Sequence, residues 1–197
     1  MSNLQYTLQL PSWVDQFMSG LIDKKIDNPN ERMQVAIDLA EKNIDHGGGP
    51  FGAVVFEKDN GRIIAPGINL VLQTNNSVMH AEIVAIILAQ QKVNSFDLGA
   101  EGLPEYELVS STEPCAMCLG AIPWSGIASL VCGARDEDAR QIGFDEGDKP
   151  EQWWEFLKSR NIQVTRDVLR HKATTVMQRY IDLGGIIYNG RSSLAPK

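Results

Sequence analysis

The sequence predicts an α/β domain of three layers, with helices on both faces of a mixed five-stranded sheet. Three observations carry that expectation. Segments with apolar residues at helical spacing alternate along the chain with short apolar runs of strand length. Glycine, proline and asparagine punctuate the junctions between them. A chain of 197 residues, 43% hydrophobic and without a low-complexity tract, is long enough for one well-buried domain and short for two.

Taken in order, residues 1–29 read as an extension packed on the core: a polar lead, then Pro11, Trp13, Phe17 and Leu21 at the spacing of a short amphipathic helix. Residues 30–183 form the domain proper. Asn30 is placed as the N-cap of a helix that gathers Met33, Ala36, Ile37, Ala40 and Ile44 on one face. Gly47, Gly48, Gly49 and Pro50 break it and connect flexibly to a strand at 51–56; no Lys-Ser/Thr pair follows, so the glycines are not a phosphate cradle. A turn at Asp59, Asn60 and Gly61 leads into an antiparallel partner strand over 62–72. Asn69 interrupts that strand near its end; such an Asn is commonly a turn or bulge residue, though its amide offers both a donor and an acceptor to a ring edge.

Ser77 is placed as the cap of a helix starting near Val78, with His80 and Glu82 in its first turns and an all-round apolar run behind them that has to be buried. A polar connection over 90–105 precedes a strand at 107–111. Thr112 is placed as a cap, Pro114 in the first helical turn, and Cys115 and Cys118 at i and i+3 on that helix. A strand follows at 128–132, with Cys132 as a small buried apolar residue, then an acidic loop at 136–148 read as a solvated face. Trp153, Trp154, Phe156 and Leu157 belong to a helix of core or dimer contacts, 162–165 to a strand, and 167–183 to a final helix stopped by Gly184 and Gly185. The apolar Ile186, Ile187 and Tyr188 open a tail, 184–197, that needs a surface to cover it, on this chain or on a neighbouring subunit.

The chemistry concentrates in two short stretches, His80-Ala81-Glu82 and Pro114-Cys115-Ala116-Met117-Cys118. One imidazole and two thiols are zinc ligands, and three of them leave the fourth tetrahedral position open for water or hydroxide. Glu82 stands beside His80 without being needed as a ligand, and a carboxylate there serves as proton shuttle. Alone, C-x2-C also suits half of a structural zinc site or a redox pair, but no second C-x2-C completes a four-cysteine site and neither reading uses His80 and Glu82. Three cysteines without a disulfide pattern imply a reducing compartment. With no basic-then-apolar leader and no membrane-length apolar run, the expectation is a cytoplasmic protein without membrane partners. A net charge of -7 disfavours a polyanionic partner such as nucleic acid and favours a small-molecule substrate.

H-x-E followed by P-C-x-x-C is the signature of zinc-dependent nucleobase deaminases, and from about residue 30 to 183 the chain resembles the cytidine deaminase-like superfamily. The resemblance implies that superfamily's strand order, one Zn2+ per chain on His80, Cys115 and Cys118, and Glu82 as catalytic proton shuttle. It is similar above all to bacterial guanine deaminases, through Gly49-Pro50-Phe51-Gly52-Ala53-Val54, Asn69, the stretch Glu113 to Ile122, and Gly143-Phe144-Asp145-Glu146. That likeness implies hydrolysis of guanine to xanthine and ammonia, as in purine catabolism, by a homodimer. It also implies Phe51 stacked on the base, Asn69 and the Ala81 backbone in the pocket, and Glu146 binding the ring and sharing in proton transfer. The family has Asp where Glu146 stands. Its exchanged C-terminal segment carries an aromatic residue, for which Tyr188 is the candidate here. The alternatives are tRNA adenosine deamination, which a chain of net charge -7 suits poorly, and cytosine or cytidine deamination.

Overall fold

The structure is a computed structural model and describes residues 7–190; the polar lead at 1–6 and the tail beyond 190 lie outside the described residues. The chain runs through α1 (Ser12–Ser19), α2 (Pro29–Asp45), β1 (Gly52–Glu57), β2 (Ile63–Ile68), α3 (Val71–Thr74), α4 (Ala81–Val93) and β3 (Tyr106–Thr112). It continues through α5 (Ala116–Ser125), β4 (Ser129–Ala134), α6 (Asp136–Gln141), α7 (Trp153–Lys158), β5 (Gln163–Thr165) and α8 (Arg170–Asp182). The sheet has the order β2-β1-β3-β4-β5, with β1 antiparallel to β2 and β3, and β3-β4-β5 parallel. This is the predicted mixed five-stranded sheet.

Strand alternation generates the three layers. Val54, Phe56, Val109 and Val131 enter a core shared with α1, α2 and α8, whereas Ala53, Val55, Leu108, Leu130 and Cys132 enter a second core with α4, α5 and α7. With both faces covered, β1 and β4 are buried at every position, which is why they read as continuous apolar runs. Helix α4 lies so close on β2 that a Cβ on Gly67 would stand 2.1 Å from the Ala81 carbonyl oxygen; this packing holds the start of α4 against the end of the sheet.

Several boundaries differ from those expected. The cap of α2 is Asn28, not Asn30: its side chain accepts from the Asn30 N–H, and Pro29 takes the first helical position. The second strand stops at Ile68, and part of the expected strand is the short helix α3. Ser77 caps nothing. Helix α4 starts at Ala81 with His80 itself at the N-cap, because the 75–80 segment turns back to let the Leu70 N–H bond the Met79 carbonyl. Likewise Thr112 ends β3 and Pro114 precedes α5, whose N-cap is Cys115. The acidic segment is not one solvated loop. Its first part is α6, with Asp136, Glu137 and Asp138 in the first turn, where the helix dipole favours them and Arg170, Arg140 and Lys149 pair with them. Its second part folds inward and buries Phe144 and Glu146. The tail's Ile187 and Tyr188 pack on the first core of their own chain, and the Tyr180 hydroxyl donates to the Ile186 carbonyl at 2.7 Å.

The cap assignment is testable by urea unfolding. Asn28→Ala is expected to cost about 1 kcal/mol, the usual worth of an N-cap side chain, while Asn30→Ala lies within about 0.5 kcal/mol of wild type. Equal losses would return the cap to Asn30.

Candidate active site and metal centre

The site lies where the chain leaves β2 and β3 and enters β1, at one end of the sheet. Both helices that follow those strands place a ligand at their N-cap: His80 for α4 and Cys115 for α5, with Cys118 in the first turn of α5. His80 Nδ1 is 3.4 Å from Cys115 Sγ and 3.8 Å from Cys118 Sγ, and the three ligand atoms all lie within 4.8 Å of one another. The positive ends of two helices converge on these sulfurs, which favours thiolate.

The electrostatics of the donor set suit a divalent cation. The Cys115 thiol is lowered to about 4, first by its hydrogen bond with Cys118 and then by His80, against burial. Cys118 is driven well above the ordinary thiol value by sharing with Cys115 and by burial. Two sulfurs thus hold one proton between them. Burial pulls His80 down, but the Cys115 sulfur and the carboxylates of Glu82 and Glu146 outweigh it and raise its pKa. Glu82, only 6% exposed, is pushed to about 7, mainly by burial and then by the Cys115 charge, with His80 opposing. Glu146 is raised to about 8 for the same two leading reasons. A zinc ion displaces the shared thiol proton and turns a site crowded with acids into one with compensated charge.

In front of this cluster is a cavity of about 140 Å³. Of the residues expected there, Phe51, Asn69, His80, Glu82, Cys115, Glu146 and Tyr188 all border it. Cys118 lies behind Cys115, fully buried. Ala81 does not border the cavity; it is fully buried and belongs to the second core. The Asn69 side-chain oxygen accepts the Val71 N–H at 3.2 Å, which orients the amide, and its NH2 is a donor the residue can offer. Further walls escape the sequence reading. Phe144 meets Phe51 edge-on at 4.9 Å and Tyr188 at 5.0 Å, forming an aromatic collar. Asn189 ties the tail to the acidic segment, accepting from the Asp145 N–H at 2.8 Å and donating to the Gly143 carbonyl at 2.9 Å. Glu113, buried, takes the Arg166 Nε–H at 2.5 Å and the Asp136 N–H at 3.1 Å. Its signals in the sequence were its place directly before Pro114 and Cys115 and at the head of the stretch that carries the family resemblance. Thr112 Oγ1 and Tyr188 Oη are buried without a hydrogen-bond partner among the described residues, and both residues border the cavity.

An imidazole and two thiols gathered at two helix starts, with a buried carboxyl beside them and a small cavity in front, define the class as a zinc-dependent deaminating hydrolase on the cytidine deaminase-like fold. The chain belongs to the cytidine and deoxycytidylate deaminase family: the profile of its zinc-binding region matches residues 27–134. Among its relatives, the guanine deaminase of Bacillus subtilis is 42% identical over 112 residues, 56% of this chain and 67% of that protein. The tRNA-specific adenosine deaminase of Haemophilus influenzae is 32% identical over 158 residues, 75% of this chain and 80% of that protein. The solved guanine deaminase from Nitrosomonas europaea superposes with a TM-score of 0.86 at 43% identity, covering 91% of this chain and 98% of that one.

Metal loading should be visible as acid release. With Cys115 already thiolate at pH 7 and Cys118 protonated, zinc binding is expected to liberate about one proton from the sulfurs, measured by calorimetry in buffers of different ionisation enthalpy. Cys118→Ser should bind zinc at least about tenfold more weakly. Undiminished zinc affinity in that variant, or binding without proton release, contradicts the ligand set.

Proposed function

We propose that this protein deaminates guanine, giving xanthine and ammonia, with Glu82 as the proton shuttle and Phe51, Asn69, Glu146 and Tyr188 holding the base. The observation that carries the reading is a cavity small enough for one bare base, with an aromatic wall, an amide and a buried carboxyl along its edges and the ligand cluster at its floor. The named activities of the Bacillus and Nitrosomonas relatives support it.

Zinc at His80, Cys115 and Cys118 supplies a Lewis acid that makes water nucleophilic at neutral pH. The chain's own residues do the rest. Glu82, poised near neutrality by burial, accepts the proton of the attacking water and passes it first to a ring nitrogen and then to the departing amine. Phe51 offers an aromatic face, the Asn69 amide donates to an acceptor on the ring edge, and Glu146, protonated at neutral pH, donates or accepts along the opposite edge. The collar of Phe144 and Tyr188 keeps bulk water from the reacting carbon.

The Haemophilus relative keeps tRNA adenosine deamination as a second reading. The tail closing the cavity and the net charge of -7 are unfavourable for a folded polyanion. A homodimer belongs to the proposal as well. Helices α4 and α5 are apolar all round, yet Ile83, Ile87, Ala121 and Trp124 line an open groove on their outer side, and Trp124 is 87% exposed. A dimer buries that face, and exchange of the tail between subunits would keep Tyr188 over a pocket. Three unpaired cysteines suit the cytoplasm.

Ammonia release from guanine should exceed that from cytosine, cytidine, adenine and tRNA. Glu82→Gln should retain full zinc while kcat falls about 10³-fold; zinc loss, or activity near wild type, removes Glu82 from the role. Trp124→Glu should shift the protein from dimer to monomer in light scattering, and a monomeric wild type would end the dimer proposal.

A further inference from the structure

Asn43 is a fully buried polar side chain near the end of α2, outside the cavity and unused by the mechanism. Its Nδ2 donates to two backbone carbonyls, Gly49 and Asn69, each at 2.9 Å. Its Oδ1 accepts from Gln73 Nε2 at 3.5 Å. The same carbonyl of Gly49 accepts the Phe51 N–H at 2.9 Å, and the Phe51 carbonyl accepts the Asn69 N–H at 3.2 Å. The four bonds close a circuit: Asn43 to Gly49, Gly49 to Phe51, Phe51 to Asn69, and Asn69 back to Asn43. Phe51 and Asn69 both border the cavity from separate elements, one entering β1 and one leaving β2.

We propose that Asn43 is a positioning residue that sets the distance between the Phe51 and Asn69 walls, and so the fit of the planar base between them. A side chain with two donors on one atom satisfies both carbonyls; an apolar residue would take away the bond to the Asn69 carbonyl and leave the Gly49 carbonyl with the Phe51 N–H alone. Gly48 is part of the device. A Cβ there would stand 2.3 Å from both Asn43 Nδ2 and Oδ1, so residue 48 lacks a side chain because the amide occupies that space. This explains one glycine of a run that otherwise reads as a flexible connector.

The proposal rests on the guanine reading for its substrate, but its test does not. In zinc-loaded protein, Asn43→Ala should raise the exchange rates of the Phe51 and Asn69 backbone amides about tenfold or more, read by NMR. It should also raise KM for guanine about tenfold with kcat within about threefold. Gly48→Ala, which keeps the amide but displaces it, should produce both effects, and in the Asn43→Ala background it should add nothing, because its collision partner is gone. Val14→Ala, a buried truncation in α1, serves as the control for general destabilisation and should leave both readouts in place. Wild-type protection of those two amides in Asn43→Ala, additive effects of the two substitutions, or an equal response in Val14→Ala would overturn the proposal. Should Asn43→Ala not fold, Gly48→Ala alone decides by the same amides. If wild type does not act on guanine, the substrate reading fails while the exchange rates still judge Asn43.

Discussion

The structure depends on the meeting of two helix starts. His80 and Cys115 are both N-cap residues, held in extended backbone conformation at the ends of segments that leave the same side of the sheet. An N-cap is where a helix has unpaired N–H groups and its positive end, so a pair of them brought together is an anion-favouring pocket before any side chain is counted. Neither helix can shift freely. The close seat of α4 on Gly67 and the direct run from β3 through Pro114 into α5 fix the two starts to β2 and β3, the strands on either side of β1. The 3.4 Å approach of imidazole to thiol follows from backbone packing, and the cation has only to occupy a geometry already present.

What surrounds that meeting point is built from segments distant in sequence. The acidic segment reaches the site through Phe144 and Glu146, and its backbone holds the ligand helix, since the Glu146 carbonyl accepts the Ala116 N–H at 2.9 Å. Lys149 extends the grip: its ammonium donates to the Pro114 carbonyl at 2.5 Å and pairs with Asp136 at 2.8 Å. The Glu146 carboxyl at the cavity and the turn that carries Cys115 are thus parts of one mechanical unit. The tail joins it through Asn189, and Gly49 makes room for Tyr188, whose hydroxyl lies 2.0 Å from where a Cβ of residue 49 would be.

This division explains what could be read from the chain alone. The strands, the major helices and the zinc ligands were legible because each is local: period and punctuation mark the elements, and two ligands of one ion three residues apart leave a spacing. Cap positions were legible only to within a few residues. Ser77 and Thr112 are good capping types, but the turn at 75–80 and the extra length of β3 move the helix starts onto His80 and Cys115. Glu146 reached the sequence reading through family resemblance alone, since composition made it one more surface acid. The places of Phe144, Asn189 and Glu113 around the cavity were not legible, because they come from contacts across 23 to 93 positions of chain that no period records. Asn43 was hidden for the same reason, as an ordinary polar residue on a helix whose buried face happens to include it.

Burial of so many acids in one place decides how the site must be neutralised. Glu82, Glu146 and Cys115 are buried around one cavity with Cys118 buried behind Cys115, and His80 is the basic group among them. Lys149 is the nearest buried ammonium, but it is already committed to Asp136 and a carbonyl. Without a cation, Glu82, Glu146 and Cys118 hold their protons more tightly around the one thiolate, Cys115, with the carboxyls pushed to about 7 and about 8 and the Cys118 thiol raised beyond its usual range. A divalent ion held by His80, Cys115 and Cys118 would shift that balance, displacing the remaining thiol proton and supplying positive charge beside the buried carboxyls. Glu82 borders the cavity beside that cluster without being one of its three ligand residues, a placement that suits a carboxyl to proton transfer.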